Sequence, residues 1–283
     1  MDYRQVRAIG GKGSQPHQFA HELRGICLDR TGLIYAVGDS EVKVLDVEGK
    51  LQRRWPTEGP GYCVAVDEEN TLYVGEVDQI EKFDQSGRHM GTWKDENRLG
   101  VITAIAFFGD YILVADARDR CLRRYDRSGQ WLNNIGKDNN TKGFLIPNGH
   151  LDFSVDAQGI IHAVNPAKHR VERYSLTGEL LGHFGKFGTR RPEDFPGCCN
   201  PTNLALNRKA QIIVTEKAGP RVKVYDAAGK LLALVDSEAF DPNCKNMDVA
   251  TDSRGLIYVV DTVRLHICVF APEEDEGSRQ NGE

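Results

Sequence analysis

Apolar and polar positions alternate in short runs along almost the whole chain, and the runs are broken by Gly, Asp and Asn. Alternation of this kind predicts half-buried β-strands joined by tight turns. No stretch keeps the three-to-four-residue spacing of an amphipathic helix. The pattern also repeats. A strand, a short turn and a second strand recur as ICLDRTGLIYAV from Ile26, VAVDEENTLYVG from Val64 and IAFFGDYILVA from Ile105. They return as FSVDAQGIIHAV from Phe153, LALNRKAQIIVT from Leu204 and VATDSRGLIYVV from Val249. A third strand follows each and leads into LDVEGK, FDQSGR, YDRSGQ, YSLTGE, YDAAGK and, last, VFAPEE. Five copies then show a fourth strand, such as MGTW or LLALV. Four strands every 38 to 51 residues is the spacing of propeller blades. The sixth copy lacks its fourth strand, and DYRQVRAIGGKG at the N-terminus reads as the missing one. Pairing the two ends would remove an open sheet edge. The expectation is an all-β, six-bladed β-propeller over 1–271, its N-terminal strand completing the last blade, followed by an acidic, disordered tail over 272–283.

The segments GLIYVVD at Gly255–Asp261, RVKVYDAAG at Arg221–Gly229 and RVERYSLTG at Arg170–Gly178 resemble the repeat of the NHL family. The similarity runs through nearly the whole chain. It implies the propeller fold and little about activity, since one such scaffold carries many functions.

Bulk properties narrow the picture only slightly. The chain of 283 residues carries a formal net charge of −5, which argues against nucleic acid as a partner. No apolar run is long enough to span a membrane. The first residues show no export signal, which favours the cytoplasm over an exported location. Of seven cysteines, Cys27, Cys63, Cys121 and Cys268 fall in apolar strands and read as small buried hydrophobes.

Strand direction alternates within a blade, so the short turns gather on one face and the long crossings on the other. The long ones precede blades four to six: KDNNTKGFLIPNGH, KFGTRRPEDFPGCCNPT and DSEAFDPNCKNM. Long loops on a rigid frame are where a site is expected. The innermost strands begin at Gly25, Cys63, Ala104, Asp152, Asn203 and Asp248, where the NHL repeat has Gly. Asp152, Asn203 and Asp248 therefore point to one channel mouth, and their oxygens suit a hard cation such as calcium. The blander reading is a set of polar caps paired with loop amides and water. Cys198, Cys199 and Cys244 lie just upstream on the same face; thiolates select zinc or copper instead. Those thiols could equally form a disulfide, for example Cys199 with Cys244, or stay inert. His150 is the candidate general base or further ligand, and Arg24, Tyr62 and Lys245 are candidate substrate contacts. The arrangement resembles the gluconolactonase and senescence-marker lactonases, which hold a divalent ion at inner-strand starts. Asn203 and Asp248 match that pattern, while Gly25 occupies the slot of the family's Glu. A weaker resemblance is to peptidylglycine amidating lyase, a propeller that binds zinc through histidines.

These residues predict a metal-dependent enzyme, a hydrolase or lyase, or a redox protein if the metal is copper, acting on a small molecule at the long-loop face. The metal is divalent: calcium, zinc or copper. The competing expectation is a non-catalytic NHL module that binds a protein or small ligand. RNA binding, as in some NHL domains, would need a basic face that this composition does not favour.

Overall fold

In the computed structural model, residues 3–137, 143–217, 219–235 and 238–273 are described. The acidic tail beyond 273 and part of the crossing before Phe153, residues 138–142, lie outside them. The described chain is all-β except for one 3₁₀ turn, Pro166–Lys168. Its strands form four separate four-stranded sheets and one eight-stranded sheet. The four are sheet I (25–56), sheet II (63–94), sheet III (102–135) and sheet IV (153–184). The eight-stranded sheet divides at a single parallel pair, Tyr3↔Val235, into half V (203–235) and half VI (249–272 with the N-terminal strand). Within each unit the strands run antiparallel in chain order from the centre outward, except that the N-terminal strand is outermost in half VI.

Burial grades outward in the same way. The second strands, such as Ile34–Gly38 and Ile257–Asp261, are buried along their whole length. The outermost strand Leu51–Pro56 alternates covered and exposed positions. This gradient follows from sheet-on-sheet packing, where the middle strands are covered on both faces. Apolar clusters fill every seam. Tyr35, Val37 and Trp55 of sheet I meet Val64, Val74 and Phe83 of sheet II. Equivalent clusters join II to III, III to IV, IV to V and V to VI. Ile26, Ile34 and Ala36 of sheet I pack on Tyr258, Val260 and Ile267 of half VI, which closes the ring. Each large side chain buried this way contributes about 1.5–3 kcal/mol.

The N-terminal strand Tyr3–Gly10 pairs antiparallel with His266–Pro272, from Tyr3↔Pro272 to Gly10↔His266. Tyr3 enters the seam between V and VI, and Ile9 enters the seam between VI and I. One strand therefore ties two seams as well as closing a sheet edge.

The short turns share one device. Asp29 Oδ1 accepts hydrogen bonds from the backbone N–H groups of Thr31 and Leu33, and Tyr35 donates its hydroxyl to Oδ2. Asp67 with Tyr73, Asp156 with His162 and Asp252 with Tyr258 repeat it. The side chain mimics a backbone turn, which is why Asp ends these strands.

The long crossings owe part of their length to anchoring. Phe19, Phe144, Phe195 and Phe240 are buried and belong to the clusters at four different seams. These loops are fastened into the ring by aromatic plugs.

Candidate functional site

The inner strands stand side by side around a central cavity of about 460 Å³. Asp152, Asp248, Cys63 and Thr103 line it near the starts of the inner strands. Asp29, Arg30, Asp67 and Glu68 line it where the strands end. The cavity thus runs from the strand starts, on the long-loop side that the sequence points to, through to the face of the short turns.

At the strand starts, side chains stitch the units together. Asp152 accepts from its neighbour Phe153 N at 2.9 Å and, across the seam, from Leu204 N at 2.8 Å. Asp248 does the same with Val249 N at 2.9 Å and Ile26 N at 2.7 Å. Thr103 donates to Leu151 O at 2.7 Å, Thr215 to Met247 O at 2.9 Å, and Cys63 Sγ to Ile102 O at 3.5 Å. Between sheets I and II the backbones approach directly; a Cβ on Gly25 would lie 3.0 Å from Cys63 Cα. Every seam therefore has either a polar stitch or a bare backbone contact at this level.

Three of the predicted site residues do come together. The Asn203 side chain is within hydrogen-bond reach of both the Asp152 and Asp248 carboxylates. Its Nδ2 lies 2.8 Å from His150 Nε2, and its Oδ1 is buried without a hydrogen-bond partner. Burial raises the Asp152 carboxyl well above its ordinary value, and the charge of Asp248 adds to that. Burial pushes Asp248 up to about 6, opposed by the Ile26 and Val249 amides. Burial pushes His150 down to about 4, so its ring is neutral near pH 7 and a free Nε2 lone pair can accept from Asn203. The Asn203 contact lowers both carboxyls, as donation from its amide nitrogen does, and leaves Oδ1 without a donor. Each carboxylate oxygen has given one lone pair to an amide and keeps another.

The other predicted residues lie elsewhere. Cys198 Sγ and Cys199 Sγ are 2.9 Å apart on the loop before half V. Cys244 is buried and donates to Asp261 Oδ1 at 3.1 Å, and burial with that carboxylate pushes its thiol up to about 11. All seven cysteines are free, so the alternative disulfide between Cys199 and Cys244 is not formed. The six predicted ligands thus do not meet at one point. Arg24 sits 4.3 Å over the Tyr62 ring and pairs with Glu22 at 2.6 Å, at the rim between sheets I and II. Lys245 is exposed, with its backbone tied to Thr262.

One cluster escaped sequence reasoning. Among the described residues, only Glu58, Glu81 and His89 bring three His, Cys, Asp or Glu ligand atoms within 4.8 Å of one another. Glu76 adjoins them, and Glu76 and Glu81 are each 2% exposed. The available signal was GEVDQIEKF, where two acidic residues sit close together across a hairpin inside an otherwise apolar pattern.

No protein-family model matches the chain, and no curated protein matches it. Solved structures do match in fold. A virginiamycin B lyase from Staphylococcus aureus superposes with a TM-score of 0.65 at 11% identity, covering 96% of this chain and 100% of that one. The WD40 β-propeller domain of Doa1 gives 0.65 at 12%, covering 96% and 98%. A structural genomics protein of unknown function from Bacteroides thetaiotaomicron gives 0.72 at 12%, covering 95% and 75%. At these identities the likeness establishes a propeller-type fold and nothing finer. No helix among the described residues is long and apolar enough to cross a membrane.

Proposed function

We propose that the chain is a six-bladed propeller of the NHL type, in which Asp152, Asn203 and Asp248 hold a hard divalent cation and the central cavity takes a small molecule. One observation carries this reading. Asn203 keeps a buried amide oxygen without a donor while its side chain touches two carboxylates, one buried and one part-buried, that desolvation already disfavours as anions. A cation would satisfy all three, and an all-oxygen donor set favours calcium or magnesium over zinc or copper. When bound, such an ion polarises a carbonyl or lowers the pKa of water, the chemistry of a hydrolase or lyase. His150 then serves to position Asn203. With a value of about 4, it is a weak base at neutral pH. The thiols fall outside this set.

A second reading has its own support. Both carboxylates already cap amides across seams, so they can be purely structural, in a module that binds without catalysis. The Asn203 amide would then simply bridge the two carboxylates as a donor. Thermal unfolding after chelation, with calcium, magnesium or zinc added back, separates the two. We expect calcium or magnesium to raise the Tm of the wild type by several degrees and to leave Asn203→Leu unmoved. No shift with any ion in the wild type would overturn the cation site and favour the binding module.

A further inference from the structure

Cys198 and Cys199 stand apart from the other cysteines in both placement and electrostatics. Cys198 is exposed, while Cys199 is buried directly behind it, with the Sγ atoms 2.9 Å apart. The loop is fixed at this point. Asn200 Nδ2 donates to Pro196 O at 2.7 Å and to Lys217 O at 3.0 Å, and Asn200 Oδ1 accepts from Lys217 N at 2.9 Å. The same clasp sets Lys217 beside the thiols, with its Nζ donating to Asn148 Oδ1 at 2.6 Å.

We propose that Cys198 and Cys199 form a dithiol site for hydroperoxides, with Cys198 as the attacking thiol and Cys199 as the resolving one. The hydrogen bond from Cys199, and then the Lys217 charge, lower the Cys198 thiol below its ordinary value. Burial raises Cys27, Cys63, Cys121, Cys244 and Cys268 instead, which keeps them protonated and slow. In the first step the Cys198 thiolate attacks the near oxygen of the peroxide, the O–O bond breaks, and the departing alkoxide or hydroxide takes a proton from solvent. This leaves a sulfenic acid. In the second step Cys199 sulfur attacks the Cys198 sulfur, the S–O bond breaks and water leaves. Two thiols have then given two electrons to one hydroperoxide. A disulfide spanning a single peptide bond departs from unstrained geometry, so external dithiols reduce it readily and the pair can cycle. The inference rests on neither the channel nor a cation.

The test is oxidation of the full-length, fully reduced chain with equimolar hydrogen peroxide, followed by thiol titration and peptide mass mapping. We expect two thiols to disappear together, the peptide holding Cys198 and Cys199 to become lighter by two hydrogens, and dithiothreitol to restore it. Cys199→Ser accumulates a sulfenic acid at position 198 that dimedone traps. Cys198→Ser slows thiol loss about tenfold. Lys217→Met slows the wild-type reaction at neutral pH, and the difference closes at alkaline pH where the thiolate forms unaided. Oxidation spread evenly over the seven cysteines, bridges between molecules, or an unchanged rate in Cys198→Ser would each overturn the proposal.

Discussion

Gly25, Asp152 and Asp248 occupy equivalent places at inner-strand starts, and the glycine meets the adjoining unit in a different way from the two carboxylates. Gly25 lets two backbones touch, because an added methyl group would sit 3.0 Å from Cys63 Cα and 3.3 Å from Tyr62 O. Gly25→Ala should therefore cost about 1–3 kcal/mol in urea unfolding. Asp248 supplies an acceptor to two backbone donors, one on each side of a seam. Asp248→Ala strands both, and we expect a loss of about 2–4 kcal/mol by the same measurement. Asp248→Asn retains one acceptor oxygen and should lose less. The sequence made the departure from Gly visible at 152, 203 and 248, because the repeat supplies an internal standard. It could not show that the carboxylates reach across to Leu204 and Ile26, since the facing partner belongs to a different repeat. Asn203 was legible as a polar intruder, and its contact with His150 was not.

Within the units, the second and third strands carry most of the buried charge, paired diagonally across the hairpin. Arg123 meets Asp116 at 3.0 Å in sheet III, and Lys223 is paired with Glu216 in half V. Lys43 of sheet I is neutralised by Glu41 at 2.6 Å. Sheet II departs from this scheme, with Glu76 and Glu81 buried together and Gln79 donating to Glu76 at 2.6 Å. Burial first, and then the hydrogen bond and charge of Glu76, push Glu81 up to about 7, while the Glu58 amide pulls the other way. His89 stands 3.6 Å from Glu81 Oε1 at the open side of the cluster. A carboxyl whose folded value lies above its unfolded one binds its proton more tightly in the folded state. Its contribution is thus fully present below about pH 4.5 and is lost as pH rises through about 7. Glu81→Gln keeps an acceptor for Glu58 N and gains a donor toward Glu76. It should stabilise the protein by about 1–3 kcal/mol at pH 8 and by little at pH 4, read from denaturation midpoints at the two pH values.

At the scale of the whole molecule, the repeat announced the ring, and the ring is what the sheets and seams build. The incomplete last copy likewise pointed to the N-terminal strand, which pairs with His266–Pro272. The cavity was harder to foresee. Loop length pointed to the end where the inner strands start, but a sequence does not show that Phe144, Phe195 and Phe240 turn inward as plugs or that the cavity runs on to the opposite face. Deleting residues 3–10 would bare the edge of half VI and remove Tyr3 and Ile9 from two seams. We expect such a chain to melt at least about 10 °C lower, or to aggregate through the exposed edge, in calorimetry and light scattering.

The position of Tyr3–Gly10 has a further consequence during synthesis. Tyr3–Gly10 is made before every other strand of the ring, and its antiparallel partner, His266–Pro272, is made after all of them. Sheets I to IV can form in order as they appear, each leaning on its predecessor. The opening strand must remain unpaired throughout, and the first and last seams stay ajar until it docks. Translation of all the other strands of the ring therefore precedes the event that locks the circle, and a ribosome halted before that point holds an arc.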